Sequence, residues 1–169
     1  MKSFILGCLA FATSVLAADY SDTEARTSLQ LAQDAYCGKD AYMTHTYEGY
    51  AAGFIPTHVI YHWSDDTQGF IGYLPSNNSI YVSFRGSEDI RNWLTNLSID
   101  KKNYKSFPEC NCDVHSGFYD AEQAIIGDVL AEVARLKGIY TTAAIKVTGH
   151  SLGAAMAILT GMDLKKAGY

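Results

Sequence analysis

A glycine-flanked serine between a strand-like segment and a helix-like segment places the strongest constraint on this chain. Residues 149–153 read GHSLG, with β-prone residues before them and small, helix-prone residues 152–166 after them. A serine at such a sharp turn has a strained backbone, so the positions two before and two after it must be small. The turn lifts the Ser151 hydroxyl above the sheet and points the first free N–H groups of the helix toward it. The sequence therefore predicts a nucleophile elbow rather than a glycine-flanked surface turn.

The residues after the elbow lack the partners that such a serine needs. None of the 18 residues that follow Ser151 is a histidine, and Asp163 is the sole carboxylate among them. Serines on strand–turn–helix elbows are followed in the chain by an acid and then a histidine. A helix rises about 1.5 Å per residue, so Asp163 would lie roughly 16 Å or more from Ser151. The sequence predicts a nucleophile without its base, and hence that the chain as given is inactive or a fragment.

Composition narrows the class of protein. The chain of 169 residues is 48% hydrophobic and 18% charged, as expected for one foldable domain. Its net charge of −5 provides no basic surface and excludes nucleic acid as a partner. No histidine lies at ligand spacing from the cysteines, so no metal is predicted, and nothing in the sequence calls for a cofactor. The oligomeric state is left open.

The N-terminus has the pattern of a signal peptide. Lys2 provides the positive charge, residues 4–16 form an apolar stretch too short to span a membrane, and residues 15–17 provide a small-residue cleavage site. The alternative is a buried N-terminal helix. No later segment is long enough to span a membrane. The sequence predicts that residues 1–17 are removed and that residues 18–169 form a secreted, extracellular domain.

If the protein is secreted, its cysteines can form disulfides. Cys8 would leave with the signal peptide, so Cys37, Cys110 and Cys112 would remain. An odd number in an oxidising compartment indicates a free thiol, an intermolecular bridge or a missing partner. Cys110 and Cys112 are close enough in sequence for a small local disulfide, which would leave Cys37 unpaired. Buried unpaired cysteines are the alternative.

The remaining pattern is typical of an α/β protein. A capping box at residues 21–24 predicts a helix to about Tyr36, and residues 58–63 and 69–74 predict a hairpin. Residues 80–85 predict a buried strand, and residues 120–136 predict a helix that ends at Gly138. The residues expected on the inner faces of the two helices are Ala25, Leu29 and Ala32, then Ala124, Ile125, Val129, Val133 and Leu136.

Several ordered motifs together resemble one enzyme family. They are VSFRGS at 82–87, IRNWL at 90–94, DVHSGF at 113–118 and the elbow segment at 147–155. In this order they resemble the fungal-type lipases, the class 3 lipase family of α/β-hydrolases. The resemblance implies an α/β-hydrolase fold, apparently truncated after the helix that follows the elbow. Residues 18–169 would then be part of a class 3 lipase domain.

The resemblance also implies roles for individual residues. Ser151 would be the nucleophile that accepts the acyl group. Ser87, through its N–H and hydroxyl, and Leu152, through its backbone N–H, would form the oxyanion hole. The alternative for Ser87 is an ordinary turn serine. His115 and His150 lie in family motifs but are not the family's base, so both are expected to be structural.

A lid would fall at residues 88–98. Four apolar residues recur there at helical spacing: Ile90, Trp93, Leu94 and Leu97. In a lidded lipase such a face covers the serine in water and turns outward onto lipid. A helix packed permanently on the core is the alternative. Asn96 near the lid and Asn77 in an earlier turn both begin glycosylation sequons.

The resemblance implies what the chain lacks as well as what it does. The catalytic Asp and His of the family lie on later segments, as does a cysteine that bridges to the first helix. The full-length protein would be a secreted carboxylic ester hydrolase, most simply a triacylglycerol lipase acting at a lipid–water interface. The alternatives are an esterase for soluble esters such as feruloyl esters, a phospholipase, and a pseudoenzyme that only binds lipid.

Overall fold

The described residues combine a mixed sheet with helices packed on it, which confirms the predicted α/β class. The computed structural model describes residues 20–63, 67–87 and 100–169, so the predicted signal peptide and lid lie outside the described residues. The helices are α1 (Asp22–Asp34), α2 (Ser116–Ile139) and α3 (Leu152–Lys166). The strands are β1 (Ile55–His62), β2 (Thr67–Leu74), β3 (Ser79–Phe84), β4 (Lys101–Asn103), β5 (Asp113–His115) and β6 (Ala144–Gly149).

The main sheet has the order β1-β2-β3-β6. The hairpin predicted from the sequence is present, because β1 pairs antiparallel with β2, and β2 pairs antiparallel with β3. β3 pairs parallel with β6, a pairing that requires a crossover, and α2 lies in that connection. As a result β1, β3 and β6 run in the same direction and end at the same edge of the sheet. β4 and β5 form a separate two-stranded sheet.

Helices cover both faces of the main sheet. β3 is buried along its whole length, as the sequence predicts. Its alternate residues Ile80, Val82 and Phe84 pack in the core beneath α2 and α3. Tyr81 points to the opposite face and joins a second core that includes Leu31 of α1. The result is a three-layer arrangement with the sheet in the middle.

Helix α1 begins at the predicted residue, but it is rotated about its axis relative to the orientation predicted from the sequence. The Ser21 hydroxyl caps it by accepting from the Glu24 N–H at 3.3 Å. The predicted inner face is wrong in part, since Ala25 and Leu29 are exposed and Leu31 is fully buried. Hydrogen bonds account for this orientation, because hydroxyls on two strands donate to carbonyls of α1. They belong to Ser83, which binds the Leu31 carbonyl at 2.9 Å, and Thr148, which binds the Ser28 carbonyl at 3.0 Å.

Helix α2 is longer than the sequence indicates. It begins four residues early because the His115 imidazole accepts from the Phe118 N–H at 3.3 Å and caps the first turn. It also continues through Gly138, which does not end it. Ile125, Val129, Val133 and Leu136 are buried as predicted, whereas Ala124 is exposed.

Helix α3 has the bounds that the sequence predicts, and its end is well defined. Gly168 follows the C-cap with a φ of +97°. The Gly168 N–H donates to the Lys165 carbonyl, and the Tyr169 N–H donates to the Leu164 carbonyl, both at 3.1 Å. These two bonds form a Schellman motif. Among the described residues, no helix combines the length and the apolar character needed to cross a membrane.

A disulfide joins Cys110 to Cys112, whose Cα atoms are 5.2 Å apart. It closes a tight turn just before β5. Cys37, in the short turn after α1, is exposed and is a free thiol in this structure.

Candidate active site

The serine turn lies between β6 and α3, where the sequence places it. Ser151 has φ 57° and ψ −123°, a conformation that L-residues rarely adopt. Only three non-glycine residues in the described part of the chain have a positive φ, and the other two are asparagines in turns. A serine held in this conformation indicates backbone strain that the surrounding packing maintains, which is common at functional sites.

The two flanking glycines of the turn are required by close backbone approaches. A Cβ atom on Gly149 would lie far inside van der Waals contact of the Gly153 carbonyl oxygen, and 3.0 Å from the Ala154 nitrogen. A Cβ atom on Gly153 would collide with the Phe84 carbonyl oxygen and lie 2.9 Å from that of Arg85. The backbone of the elbow thus packs closely against itself at Gly149 and against the end of β3 at Gly153.

A third glycine, Gly86, brings the end of β3 against the serine. Its Cβ atom would lie 2.5 Å from the His150 carbonyl oxygen and 3.2 Å from Ser151 Cβ, and would collide with Tyr36 Oη. Ser87 follows Gly86 directly and so comes at the edge of the sheet where the elbow lies. The sequence analysis included Gly86 in a family motif without giving it a role.

Tyr36 is a site residue that the sequence analysis missed. Its hydroxyl lies 2.9 Å from His150 Nδ1, and the two rings are 6.0 Å apart. His150 therefore links the elbow to the turn after α1. The two residues are 114 positions apart in the sequence. No periodicity or spacing could have shown this pairing.

The start of α3 provides N–H groups beside Ser151. The Gly153 N–H donates to the His150 carbonyl and the Ala154 N–H to the Ser151 carbonyl, both at 2.9 Å. The Leu152 N–H makes no backbone hydrogen bond within the described residues. It lies at the positive end of the helix dipole, where an anion is stabilised. The arrangement can therefore hold negative charge that develops next to Ser151.

A narrow cleft of about 240 Å³ opens beside the elbow, between α1 and His150. It is lined by Leu29, Ala32, Gln33, Tyr36 and His150. Leu29 is 67% exposed, although it was predicted to lie in the core. The rotation of α1 thus turns an apolar side chain toward the site instead of burying it.

The structure does not bring a histidine to Ser151 within the described residues. His58 binds Asp128 at 2.7 Å and His115 caps α2, while His150 binds Tyr36. His45 Nε2 is 3.7 Å from an oxygen of Asp34. Within the same residues, no three His, Cys, Asp or Glu side chains form a metal site.

Asp163 belongs to a buried acidic pair at the α2–α3 interface, three turns along α3 from Ser151. It accepts from Ser106 Oγ at 3.1 Å and from Gln123 Nε2 at 3.0 Å. The same Gln123 nitrogen donates to Glu122 at 2.8 Å, so the two carboxyl groups are neighbours. The pKa of the Glu122 carboxyl is raised to about 7, chiefly by burial, while the hydrogen bond from Gln123 lowers it and Asp163 raises it. Below about pH 7 Glu122 therefore holds a proton beside Asp163.

The other predicted site residues are only partly described. Ile90, Trp93, Leu94, Leu97 and Asn96 lie outside the described residues. Asn77 ends a short turn before β3, and its side-chain nitrogen donates to Tyr81 Oη at 2.8 Å. Attachment of a glycan would replace one of the two hydrogens of this nitrogen and leave the other to donate to Tyr81.

Comparison with curated proteins shows similarity to fungal lipases. The lipase of Rhizomucor miehei is 36% identical over 109 residues, which are 63% of this chain and 30% of that protein. Secreted mono- and diacylglycerol lipase 1 of Fusarium solani is 36% identical over 104 residues, 60% of this chain and 31% of that protein. The matched region is thus about a third of the length of these relatives.

Solved structures show the same similarity. A triacylglycerol lipase whose catalytic centre is a serine protease triad superposes with a TM-score of 0.78 at 28% identity, covering 86% of this chain and 56% of its own. The lipase of Rhizopus microsporus var. chinensis superposes with a TM-score of 0.78 at 29% identity, covering 85% and 50%. The fold is therefore that of the α/β-hydrolases. The family described as Lipase (class 3) matches residues 81–169, more than half of the sequence, and the chain belongs to the class 3 lipase family.

Proposed function

We propose that this sequence belongs to a secreted serine ester hydrolase in which Ser151 is the nucleophile. The observation that carries the proposal is the strained Ser151 at the start of α3, beside an N–H group that has no backbone partner in the described residues. Relatives named as secreted lipases and the signal-like residues 1–17 support export from the cell. The lipase family supports an ester as the substrate.

The proposed reaction has two steps. Ser151 Oγ attacks the ester carbonyl carbon while its proton passes to a base, and the alcohol then leaves with a proton. Water next attacks the acyl-serine, releases the carboxylic acid and restores the hydroxyl. In both steps the negative charge on the carbonyl oxygen is held by the Leu152 N–H and by Ser87. Each such donor is worth roughly 3 kcal/mol of transition-state stabilisation.

The base of this reaction is not among the described side chains. No imidazole in the described part of the chain hydrogen-bonds Ser151, so its hydroxyl has no partner there to remove the proton. We therefore expect the 169-residue chain on its own to hydrolyse esters slowly. Proteases that lack triad members but keep the rest of the site retain a residual rate of roughly 10³–10⁴ over water.

We propose an uncharged acylglycerol as the substrate class. The cleft beside the elbow is lined by Leu29, Ala32 and the Tyr36 ring, which suits an apolar acyl or glyceride portion. The relatives are named as mono-, di- and triacylglycerol lipases. A net charge of −5 disfavours an anionic lipid. Soluble esters and zwitterionic phospholipids are the competing substrates.

Covalent labelling tests the role of Ser151 without requiring a complete catalytic cycle. A fluorophosphonate reacts with an activated serine, and mass spectrometry of peptides identifies the modified residue. In the enzyme that contains this sequence together with its base, we expect labelling at Ser151 and its loss in Ser151→Ala. The exposed Ser76, in the turn before β3, provides the matched control, since Ser76→Ala should label like the wild type. Labelling of another serine that survives Ser151→Ala would contradict the proposal.

A second candidate is a protein that binds lipid without hydrolysing it. It is favoured by one observation, the lack of an imidazole on Ser151 among the described residues. Under this alternative, lipid droplets would adsorb the protein equally well after Ser151→Ala, and neither variant would be labelled or turn over ester. Turnover or labelling that depends on Ser151 would exclude it.

A further inference from the structure

Two aromatic side chains are exposed together at the end of β1. Tyr61 is 45% exposed and Trp63, just beyond the last residue of the strand, is 79% exposed. Trp63 lies two positions after Tyr61, so both exposed rings are at the same end of β1. Lys39 Nζ lies 5.1 Å from the centre of the Tyr61 ring, and its charge is paired with Asp40 at 2.8 Å.

The sheet register places this pair at the same edge as Ser151. Ile60 of β1 pairs with Gly69 of β2, Gly69 with Phe84 of β3, and Phe84 with Gly149 of β6. These four residues form one row across the sheet. Trp63 lies three positions beyond this row and Ser151 two positions beyond it, in the same direction. Three strand spacings separate them laterally, about 14 Å in all.

The charges near Trp63 indicate which kind of surface it can contact. Asp65 and Asp66 follow it closely in the sequence, and the whole chain carries a net charge of −5. An anionic surface would be repelled, whereas an uncharged one would not. Two aromatic side chains offer far less area than a stable protein–protein interface needs. Tryptophan and tyrosine are also the side chains that favour the boundary between water and lipid.

We propose that Tyr61 and Trp63 form an anchor that inserts into an uncharged acylglycerol surface and holds the Ser151 edge of the sheet against it. The inference rests on the proposed function, because it assumes that the substrate of Ser151 is presented at such a surface. The anchor is separate from the predicted lid and its Trp93. It adds a contact at the end of β1 to any contact that the lid makes.

The fluorescence of Trp63 reports directly on this anchor. The chain has two tryptophans, so Trp93→Phe leaves Trp63 as the sole indole. On adding triolein droplets to this variant, we expect a blue shift of the emission, and brominated triacylglycerol should quench it. Emission that stays at the position typical of water while the protein adsorbs would overturn the proposal.

Adsorption to droplets measures the contribution of the anchor. In the same Trp93→Phe background, Trp63→Ala should lower the droplet partition coefficient about tenfold or more, the effect of removing one large aromatic contact. Ile139→Ala is the matched control. Ile139 is 58% exposed but ends α2 at the opposite edge of the sheet, so its variant should adsorb normally. Equal adsorption of the Trp63→Ala and control variants would overturn the proposal.

Two further readouts separate this proposal from the proposed function. Fluorophosphonate labelling of Ser151 does not depend on the anchor, so in the enzyme that contains this sequence Trp63→Ala should label like its parent. Labelling with unchanged adsorption would reject the anchor and leave the hydrolase proposal intact. Sedimentation of the protein in the absence of lipid covers the remaining alternative. A dimer that Trp63→Ala dissociates would overturn the lipid anchor in favour of self-association.

Discussion

The position of Gly86 shows how tightly the end of β3 is fitted to the serine turn. Any side chain at this residue meets the His150 carbonyl, Tyr36 Oη and Ser151 Cβ at once. Two of these three groups belong to the elbow, and one of them is backbone that cannot rotate away. Because Gly86 directly precedes Ser87, the close approach also fixes the position of the Ser87 backbone. Gly86 therefore affects the proposed oxyanion hole only through the backbone.

We expect Gly86→Ala to destabilise the protein by roughly 1–3 kcal/mol, as overpacking does in other interiors. The added methyl group must push β3 away from the elbow, so fluorophosphonate labelling of Ser151 should also slow. Urea denaturation measures the free energy of unfolding. Gly127, inside α2, is the matched control, because a Cβ atom there meets nothing within 4 Å. Gly127→Ala should stabilise the protein by up to about 1 kcal/mol. A Gly86→Ala protein as stable as the wild type would contradict the close approach.

At the scale of elements, the α2–α3 interface contains a buried acidic pair, Glu122 and Asp163. Glu122 is fully buried, and Asp163 is 8% exposed. Each has one carboxyl oxygen without a hydrogen-bond partner in the described residues. Two ionised carboxylates this close would repel each other in a site that water does not screen. The raised pKa of Glu122 means that the folded protein binds this proton more tightly than the unfolded chain does.

The stability of the protein should therefore fall as pH rises. The contribution of the Glu122 proton is complete below pH 4.5, the ordinary pKa of a glutamate, and is lost as pH rises through about 7. The largest possible loss is about 3 kcal/mol. Glu122→Gln should remove this dependence, and it should be more stable than the wild type at pH 8. Urea denaturation at pH 5 and pH 8 measures both quantities.

The control for this prediction is an acidic residue on the surface of the same helix. Asp120 pairs with Lys102 but is largely exposed, so Asp120→Asn should change stability by less than about 1 kcal/mol. Its pH dependence should match that of the wild type. If Glu122→Gln kept the wild-type slope between pH 5 and pH 8, the buried proton would not be the cause.

The elements could be predicted from the sequence wherever a local signal fixes them. The Ser21 cap, the β1–β2 hairpin and the bounds of α3 all depend on residues close together in the chain. The rotation of α1 could not be predicted, because it is set by hydroxyls of Ser83 and Thr148 on distant strands. The early start of α2 depends on an imidazole cap, which is less common than a Ser, Thr, Asp or Asn cap.

The features of the site could likewise be predicted where the signal is local in the sequence, and not where it depends on distant residues. The GHSLG turn is local, and its strand–turn–helix context was predicted correctly. Tyr36 and the fit of Gly86 depend on contacts between segments far apart in the sequence, which no spacing indicates. The roles of Ser151, Ser87 and Leu152, and the lid at 88–98, remain predictions.

At the scale of the whole molecule, the elbow, the cleft and the aromatic anchor all lie at one edge of the sheet. A protein built in this way should work best when its substrate forms a surface. We expect the enzyme that contains this sequence to hydrolyse a short-chain triacylglycerol with a sharp rise in rate once the ester exceeds its solubility. Measuring the initial rate across that concentration is the test. A rate that saturates smoothly below the solubility limit would indicate an esterase for soluble substrates instead.

The contacts of α1 also bear on the order of folding. Glu24 pairs with Lys146, Ser28 with Thr148 and Tyr36 with His150, across 114 to 122 residues of chain. Contacts so distant in sequence close long loops. The chain must lose the conformational entropy of those loops before the contacts can stabilise the fold. Helix α1 therefore cannot make these contacts until β6 has been synthesised. We expect the serine turn to receive Tyr36 only in this late step, so the site is completed when α1 docks against β6.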